Sequence, residues 1–403
     1  MTRGGPKRLA LLSFHSSPIG RLGSQDTGGM SVYLRQLAGE LGQAGYAVDI
    51  FTRRWEQSQG QSVSLSPSVR VVFVDAGPLE RVDKGQLHHY LVEFVRAMVT
   101  FGRKQKVKYD LIYSHYWLST WAGSMLAAVW DVPHFTMFHT VGASKQATGV
   151  GQTEPSLRLE KERELVHSCH RLIVATTQEQ SQLVEYYDAP SQAIRIVPLG
   201  VDLHLFRPVD RRQARRCLGM SLDDKVILYV GRIDAIKGIE RLVEAVLQLP
   251  ERRHVKLMVI GGDETSHGPI ERLQDMARKE NADHMFDFRG LVDHDQLPLY
   301  YSAANVCAVV SYYESFGLVA LEALACGTPV IASDVGILNQ IIKEPVLGTV
   351  LPVTHDPRLL AYHLHDRLLQ SPPHPELVRQ GVCERGWDHT ARHFQNVLAE
   401  YGL

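Results

Sequence analysis

Short apolar runs rich in β-branched and aromatic residues alternate along the whole chain with stretches whose apolar positions recur every three or four residues. In the first half the apolar runs fall at 8–14, 47–53, 69–75, 110–115, 134–139 and 171–176. Between the first two, Leu34, Leu37, Leu41 and Ala44 place one apolar stripe on a helix from Gly29 to Ala44. Near-continuous apolar strands separated by amphipathic helices predict a parallel sheet covered on both faces.

The segment 197–208, VPLGVDLHLFRP, holds two prolines and a glycine and reads as a hinge. The alternation then restarts, with strands expected at 225–231, 255–262, 285–290, 305–311 and 328–333. This predicts an α/β protein of two doubly wound, Rossmann-like domains facing across a cleft. The first spans 1–203, the second 204–385, and a last helix within 386–403 is expected to return to the first. The length of 403 residues also favours two cores over one.

Ligands of doubly wound sheets sit beyond the carboxyl ends of the strands, so chemistry is sought there and in the cleft. Tyr313-Glu314-Ser315-Phe316-Gly317-Leu318 follows a predicted strand and opens a helix that also carries Glu322. Gly317 permits close backbone approach, and the first amides of a helix attract anions. Eight helical positions would separate the two carboxylates by on the order of 10 Å, which suits acceptors for the two ends of a nucleotide sugar. A helix-start glutamate and a solvated one is the plain structural alternative.

Gly231-Arg232-Ile233-Asp234-Ala235-Ile236-Lys237-Gly238 ends the first strand of the second domain. Arg232 and Lys237 could hold a diphosphate there without a metal and offset charge on a departing phosphate. Ser24-Gln25-Asp26-Thr27-Gly28-Gly29-Met30 reads as a phosphate-approach loop or as an ordinary tight turn. No G-x-G-x-x-G or Walker pattern occurs in it. His115 and His139 end strands and could face a sugar, or be satisfied core histidines. Asp293-His294-Asp295 spells a D-x-D pattern, but its place before a helix favours N-capping over metal binding, and no metal or other cofactor is expected.

Lys+Arg 43 against Asp+Glu 44 gives a net charge of -1, so nothing in the charge balance calls for nucleic acid or an anionic membrane. No membrane insertion is expected, since no stretch approaches the ~18 apolar residues of a span. Five scattered cysteines without a CxxC pair fit a reducing, cytoplasmic setting.

The motifs DTGGM, SHYWLS with FHT, GRIDAIKG and YESFGLVALEALACGTP, in this order and in these halves, resemble glycosyltransferase family 4, the retaining GT-B enzymes. The resemblance covers about residues 8 to 400. It implies that a hexosyl group moves from a UDP-sugar to an acceptor hydroxyl without metal, the leaving phosphate helping to deprotonate the acceptor on the same face. It further implies Arg232 and Lys237 on the donor diphosphate with Gly28, Gly29 and Gly231 nearby. Glu314 and the backbone from Phe316 through Gly317 to Leu318 would hold the donor sugar, Glu322 the ribose, and His139 would sit at the reaction centre.

The acceptor text is similar to two subgroups. One is the inositol-phosphate N-acetylglucosaminyltransferases, whose acceptor-phosphate residues match Lys84, Tyr116, Thr140 and Arg158 here. The other is the sucrose-phosphate synthases, which also write DTGG at the first loop and use fructose 6-phosphate; with UDP-glucose as donor, that reading is slightly preferred. A UDP-N-acetylglucosamine 2-epimerase and a non-catalytic nucleotide-sugar sensor are more remote readings. One departure from the family pattern is Ile337 in Val335-Gly336-Ile337, where a second glycine is common. Oligomeric state is not legible.

Overall fold

A computed structural model describes residues 5–20, 27–263 and 266–403. The first lobe holds β1 (Arg8–Leu12), β2 (Ala47–Arg53), β3 (Ser62–Ser66), β4 (Val69–Val74), β5 (Leu111–His115), β6 (His134–Met137), β7 (Arg171–Val174) and β8 (Ile194–Ile196). They form one sheet in the order β3-β4-β2-β1-β5-β6-β7-β8. Every pairing is parallel except β3 with β4. The second lobe holds β9 (Lys225–Val230), β10 (Val255–Ile260), β11 (Phe286–Gly290), β12 (Val306–Val309), β13 (Val330–Ser333) and β14 (Gly348–Leu351), all parallel, in the order β11-β10-β9-β12-β13-β14.

The expected two doubly wound sheets are thus present. The sequence pattern missed three strands, each for a visible reason. β3 is a serine-rich edge strand exposed along most of its length, so it lacks an apolar signature. β8 and β14 are only three and four residues long and lie at sheet edges.

In both sheets the strand order reverses beside the first strand, between β1 and β5 and between β9 and β12. Loops leaving those strands diverge, and the crevice between them is where such folds place ligands. The two switch points face each other.

Helix Trp387–Ala399 packs on helix Gly29–Gln43 of the first lobe. Phe394 stacks on Tyr113 with centroids 4.7 Å apart. One apolar cluster runs unbroken from Leu9 and Tyr33 through Val197, Val201 and Trp387 to Val226 and Leu321, joining the lobes. The chain crosses between lobes twice, and the crossings touch: Val201 N–H donates to the Arg385 carbonyl at 2.8 Å. A Cβ on Gly200 would stand 2.7 Å from the Gly386 carbonyl carbon, so only glycine fits there.

Candidate functional site

The cleft between the switch points encloses about 390 Å³, the size of a small-ligand pocket. Its second-lobe wall comes from two neighbouring loops. The loop after β9 turns through Gly238, at φ +70°, where a Cβ would collide with the Val310 carbonyl of the loop after β12. Asp234 caps the short turn Ala235–Lys237 through the Ile236 amide, and this aims Lys237 across the switch point. Its ammonium donates to Glu314 at 2.6 Å.

Arg232 lines the same wall. Its side chain is half exposed and, among the described residues, its ion pair is with Asp234 at 3.5 Å. Gly231 lies beside it in the lining.

Glu314 is followed by Ser315, Phe316 and Gly317, whose φ of +109° starts helix Leu318–Ala325 without a side-chain cap. First-turn amides of a helix lack intrahelical partners, and Leu318 and Val319 line the cleft. Gly336 packs directly under Phe316, where a Cβ would meet its carbonyl oxygen at 2.6 Å. Ile337, at the departure from glycine, buries its side chain in the core, and its backbone amide donates to the Phe316 carbonyl at 3.1 Å.

Glu322 is not a solvated helix residue. It is buried, with Oε1 3.0 Å from His294 Nε2 and Oε2 accepting the Tyr301 hydroxyl at 2.8 Å. Burial works to lower the His294 pKa, but the hydrogen bond and charge of Glu322 outweigh it and the net shift is upward. The segment Asp293-His294-Asp295 does not supply the N-cap residue itself. Helix Leu297–Ala303 has Gln296 at its N-cap with no side-chain cap bond, and His294 turns to Glu322 instead. Among the described residues no group of three or more His, Cys, Asp or Glu is poised to hold a metal.

On the first-lobe wall, Gly28 and Gly29 open helix Gly29–Gln43, while Ser24, Gln25 and Asp26 lie outside the described residues. A Cβ on Gly29 would approach Leu318 of the other lobe to 3.3 Å, so the glycine lets the walls close. His139 follows β6 in the left-handed region at φ +60°. Its Nε2 lies 2.9 Å from Nδ1 of His115, at the end of β5. Burial holds His139 down to about 3 and His115 well below its usual range, so both rings are neutral.

Lys84, Tyr116 and Thr140 line the cleft beside His139. The Lys84 ammonium sits 4.3 Å from the Tyr116 ring centroid, a cation over an aromatic face. Arg158 is placed differently from the expected exposed or phosphate-facing cation. It is buried behind the wall and bonded to Glu162 at 2.7 Å and Glu154 at 2.6 Å. It also donates to the Thr140 carbonyl at 2.8 Å and hydroxyl at 2.9 Å. With its charge met by two carboxylates and the Thr140 oxygen already accepting, Arg158 leaves the Thr140 proton free to point into the cleft.

Sequence reading missed several lining groups. His15, in HSSP after β1, stacks near Tyr116 with centroids 4.5 Å apart. Burial and then the positive charge of Lys84 keep it neutral. Tyr313 and Ser315 join the lobes: the Tyr313 hydroxyl accepts the Val141 amide at 2.9 Å, and the Ser315 hydroxyl donates to the His139 carbonyl. A strand-end position signalled His15, but the partners of the other two come from the opposite half of the chain.

Comparison with known proteins agrees with this architecture. Residues 27–205 match the family model described as Glycosyltransferase Family 4, and residues 210–381 match Glycosyl transferases group 1. The chain is 38% identical over 401 residues to a D-inositol 3-phosphate glycosyltransferase of Corynebacterium diphtheriae, covering 98% of this chain and 92% of that one. It is 40% identical over 361 residues to D-inositol 3-phosphate glycosyltransferase 2 of Catenulispora acidiphila, covering 87% and 84%. Among solved structures it is similar to a sucrose-phosphate synthase from Thermosynechococcus elongatus, at 33% identity, 98% coverage of both chains and a TM-score of 0.89.

Proposed function

Since this chain belongs to glycosyltransferase family 4 and has the two-lobed GT-B fold, we propose that it transfers N-acetylglucosamine from its UDP-sugar to a hydroxyl of an inositol phosphate, with retention. The observation that carries the reading is the sharing of one cleft by two sets of groups. Lys84, Tyr116 and Thr140 stand on one wall, and Arg232, Lys237 and Glu314 on the other. An ammonium and hydroxyl donors suit a phosphate monoester on the acceptor side. Two cations and helix-start amides suit a diphosphate on the donor side.

In the reaction, the bond from the anomeric carbon to the diphosphate oxygen breaks as the acceptor oxygen bonds to that carbon on the same face. The acceptor proton passes to the departing phosphate oxygen. Arg232 and Lys237 offset the charge that develops there, which lowers the barrier without a metal. Glu314, held by Lys237, accepts hydroxyls of the donor sugar, and Glu322 accepts those of the ribose. This scheme uses no carboxylate nucleophile; Glu314 is tied to Lys237, and Glu322 to His294 and Tyr301. The free cysteines and the absence of a membrane-length apolar helix among the described residues support a cytoplasmic site of action.

The inositol phosphate acceptor replaces the slight preference for fructose 6-phosphate drawn from the DTGG loop. The D-inositol 3-phosphate glycosyltransferase relatives reach 38% and 40% identity, against 33% for the sucrose-phosphate synthase. Fructose 6-phosphate with UDP-glucose remains the second reading because of that structural likeness. Mass analysis of products from each donor with each acceptor phosphate decides between them. A product formed only with fructose 6-phosphate, or with neither acceptor, overturns the first reading.

A further inference from the structure

His115 is wholly buried at the end of β5, under the aromatic rings of Tyr33 and Tyr113. Its Nδ1 meets His139 Nε2 at 2.9 Å, while its Nε2 is buried with no hydrogen-bond partner among the described residues. The phenols nearby are engaged with each other, Tyr33 to Tyr113 at 2.8 Å. His139 lines the cleft, and among the described residues its ring hydrogen-bonds through Nε2. Its other nitrogen, Nδ1, is not among the buried atoms that lack partners.

A neutral imidazole carries one proton, so two arrangements of the pair are open. If His139 Nε2–H donates to His115 Nδ1, the His115 proton sits on Nε2 as a buried N–H with nothing to receive it. If His115 Nδ1–H donates to His139 Nε2, the orphaned His115 Nε2 is a bare lone pair, and the His139 proton sits on Nδ1. Orphaned buried N–H groups are rare in folded proteins, more so than acceptors short of a donor. A third, charged arrangement is opposed by burial, which lowers both rings.

We propose that His115 is a positioning residue that fixes His139 as the Nδ1–H tautomer, so that His139 presents a neutral hydrogen-bond donor to an oxygen of the bound sugar. A chain of two imidazoles running inward from the cleft thus sets the polarity of the outermost one. The left-handed backbone of His139 and the Ser315 hydroxyl on its carbonyl hold the ring at that place. With Nδ1 protonated and Nε2 occupied, His139 has no free lone pair with which to take the acceptor proton. Resting on the reaction proposed above, this leaves the departing phosphate oxygen as the base.

The test begins with the ligand-free protein. Histidine-selective ¹⁵N labelling, with His139→Gln and His115→Asn for assignment, reads which nitrogen of each ring bears the proton. The expected pattern at neutral pH is a protonated Nδ1 and a bare Nε2 on both rings; a proton on His139 Nε2 overturns the proposal. Because no substrate is present, this result is independent of whether the acceptor is correctly identified.

Activity supplies the second arm. His115→Ala should lower kcat about 10- to 100-fold with little change in either KM, as loss of an orienting partner does. His115→Asn, whose amide nitrogen can stand where Nδ1 stood, should restore most of kcat. An alanine variant as active as the parent, or an asparagine variant no better than alanine while equally folded, also overturns it.

Discussion

Lys237 donates to Glu314 at 2.6 Å from the far side of the point where the second sheet reverses its strand order. The pair joins a group proposed for the diphosphate to one proposed for the sugar, so the leaving group and the migrating group share one electrostatic fixture. Lys237→Ala should lower kcat by roughly 10²- to 10³-fold, as loss of a transition-state donor does, with a smaller effect on donor KM. Steady-state kinetics give the answer, and an unchanged kcat would remove Lys237 from the mechanism.

Tyr313 and Ser315 grip the segment 139–141 on either side of Glu314. Tyr313→Phe leaves the buried Val141 amide without an acceptor, which costs about 1 to 3 kcal/mol. The expected outcome is a lower Tm together with a fall in kcat, because His139 and Glu314 lose a shared tether. Equal melting and equal turnover in the phenylalanine variant would show that the contact couples nothing.

If Glu322 holds the ribose as proposed, its bond to His294 should make donor binding fall off as pH rises. The upward shift of His294 means it is protonated below a value above 6.5 and loses its proton as pH rises through it. Asp202 favours the charged ring, Arg35 opposes it, and the Phe206 ring covers one side at 5.0 Å. Its contribution to stability is present at low pH and lost over the same rise. Donor KM should therefore climb as pH rises through that raised value, and His294→Gln should flatten the climb. A wild-type profile that is already flat would contradict it.

Glu179 gives a stability prediction of its own. Burial raises its carboxyl to about 7, the Ala175 amide offsetting part of the effect, and Oε1 is buried without a partner among the described residues. A raised folded-state value means the native state is favoured when the group is protonated. That advantage is complete below the ordinary value near 4.5 and is lost as pH climbs to about 7. Relative to the parent, Glu179→Gln should gain roughly 2 to 3 kcal/mol between pH 5 and pH 8. Denaturant melts at both values measure it; a gap independent of pH would place an ionised carboxylate there.

Metal removal is the simplest check on the donor side. If Arg232, Lys237 and helix-start amides hold the diphosphate as proposed, exhaustive chelation should leave kcat unchanged. Loss of turnover on chelation, restored by a divalent ion, would mean that these cations do not suffice.

The sheets were legible because eleven of their strands carry near-continuous apolar runs, and both switch points follow from strand order once those strands are paired. Arg232, Lys237 and Glu314 were legible because each stands at a fixed offset from a strand end. What sequence could not show is pairing across the chain. Glu322 is tied to His294, 28 positions away, and the Tyr313 hydroxyl takes the Val141 amide, 172 positions away. Arg158 is a different case: Glu154 and Glu162 stand four residues to either side of it, so the pairing is local, and what the sequence did not show is that this helix face turns inward.

The contact of Gly200 with Gly386 limits how this molecule can breathe. Two strands of chain pinned at one spot act as an axle, about which the halves can swing but along which they cannot slide. A methyl group added at Gly200 would press on the Gly386 backbone and push the pinned strands apart, misaligning the two walls without touching a residue on them.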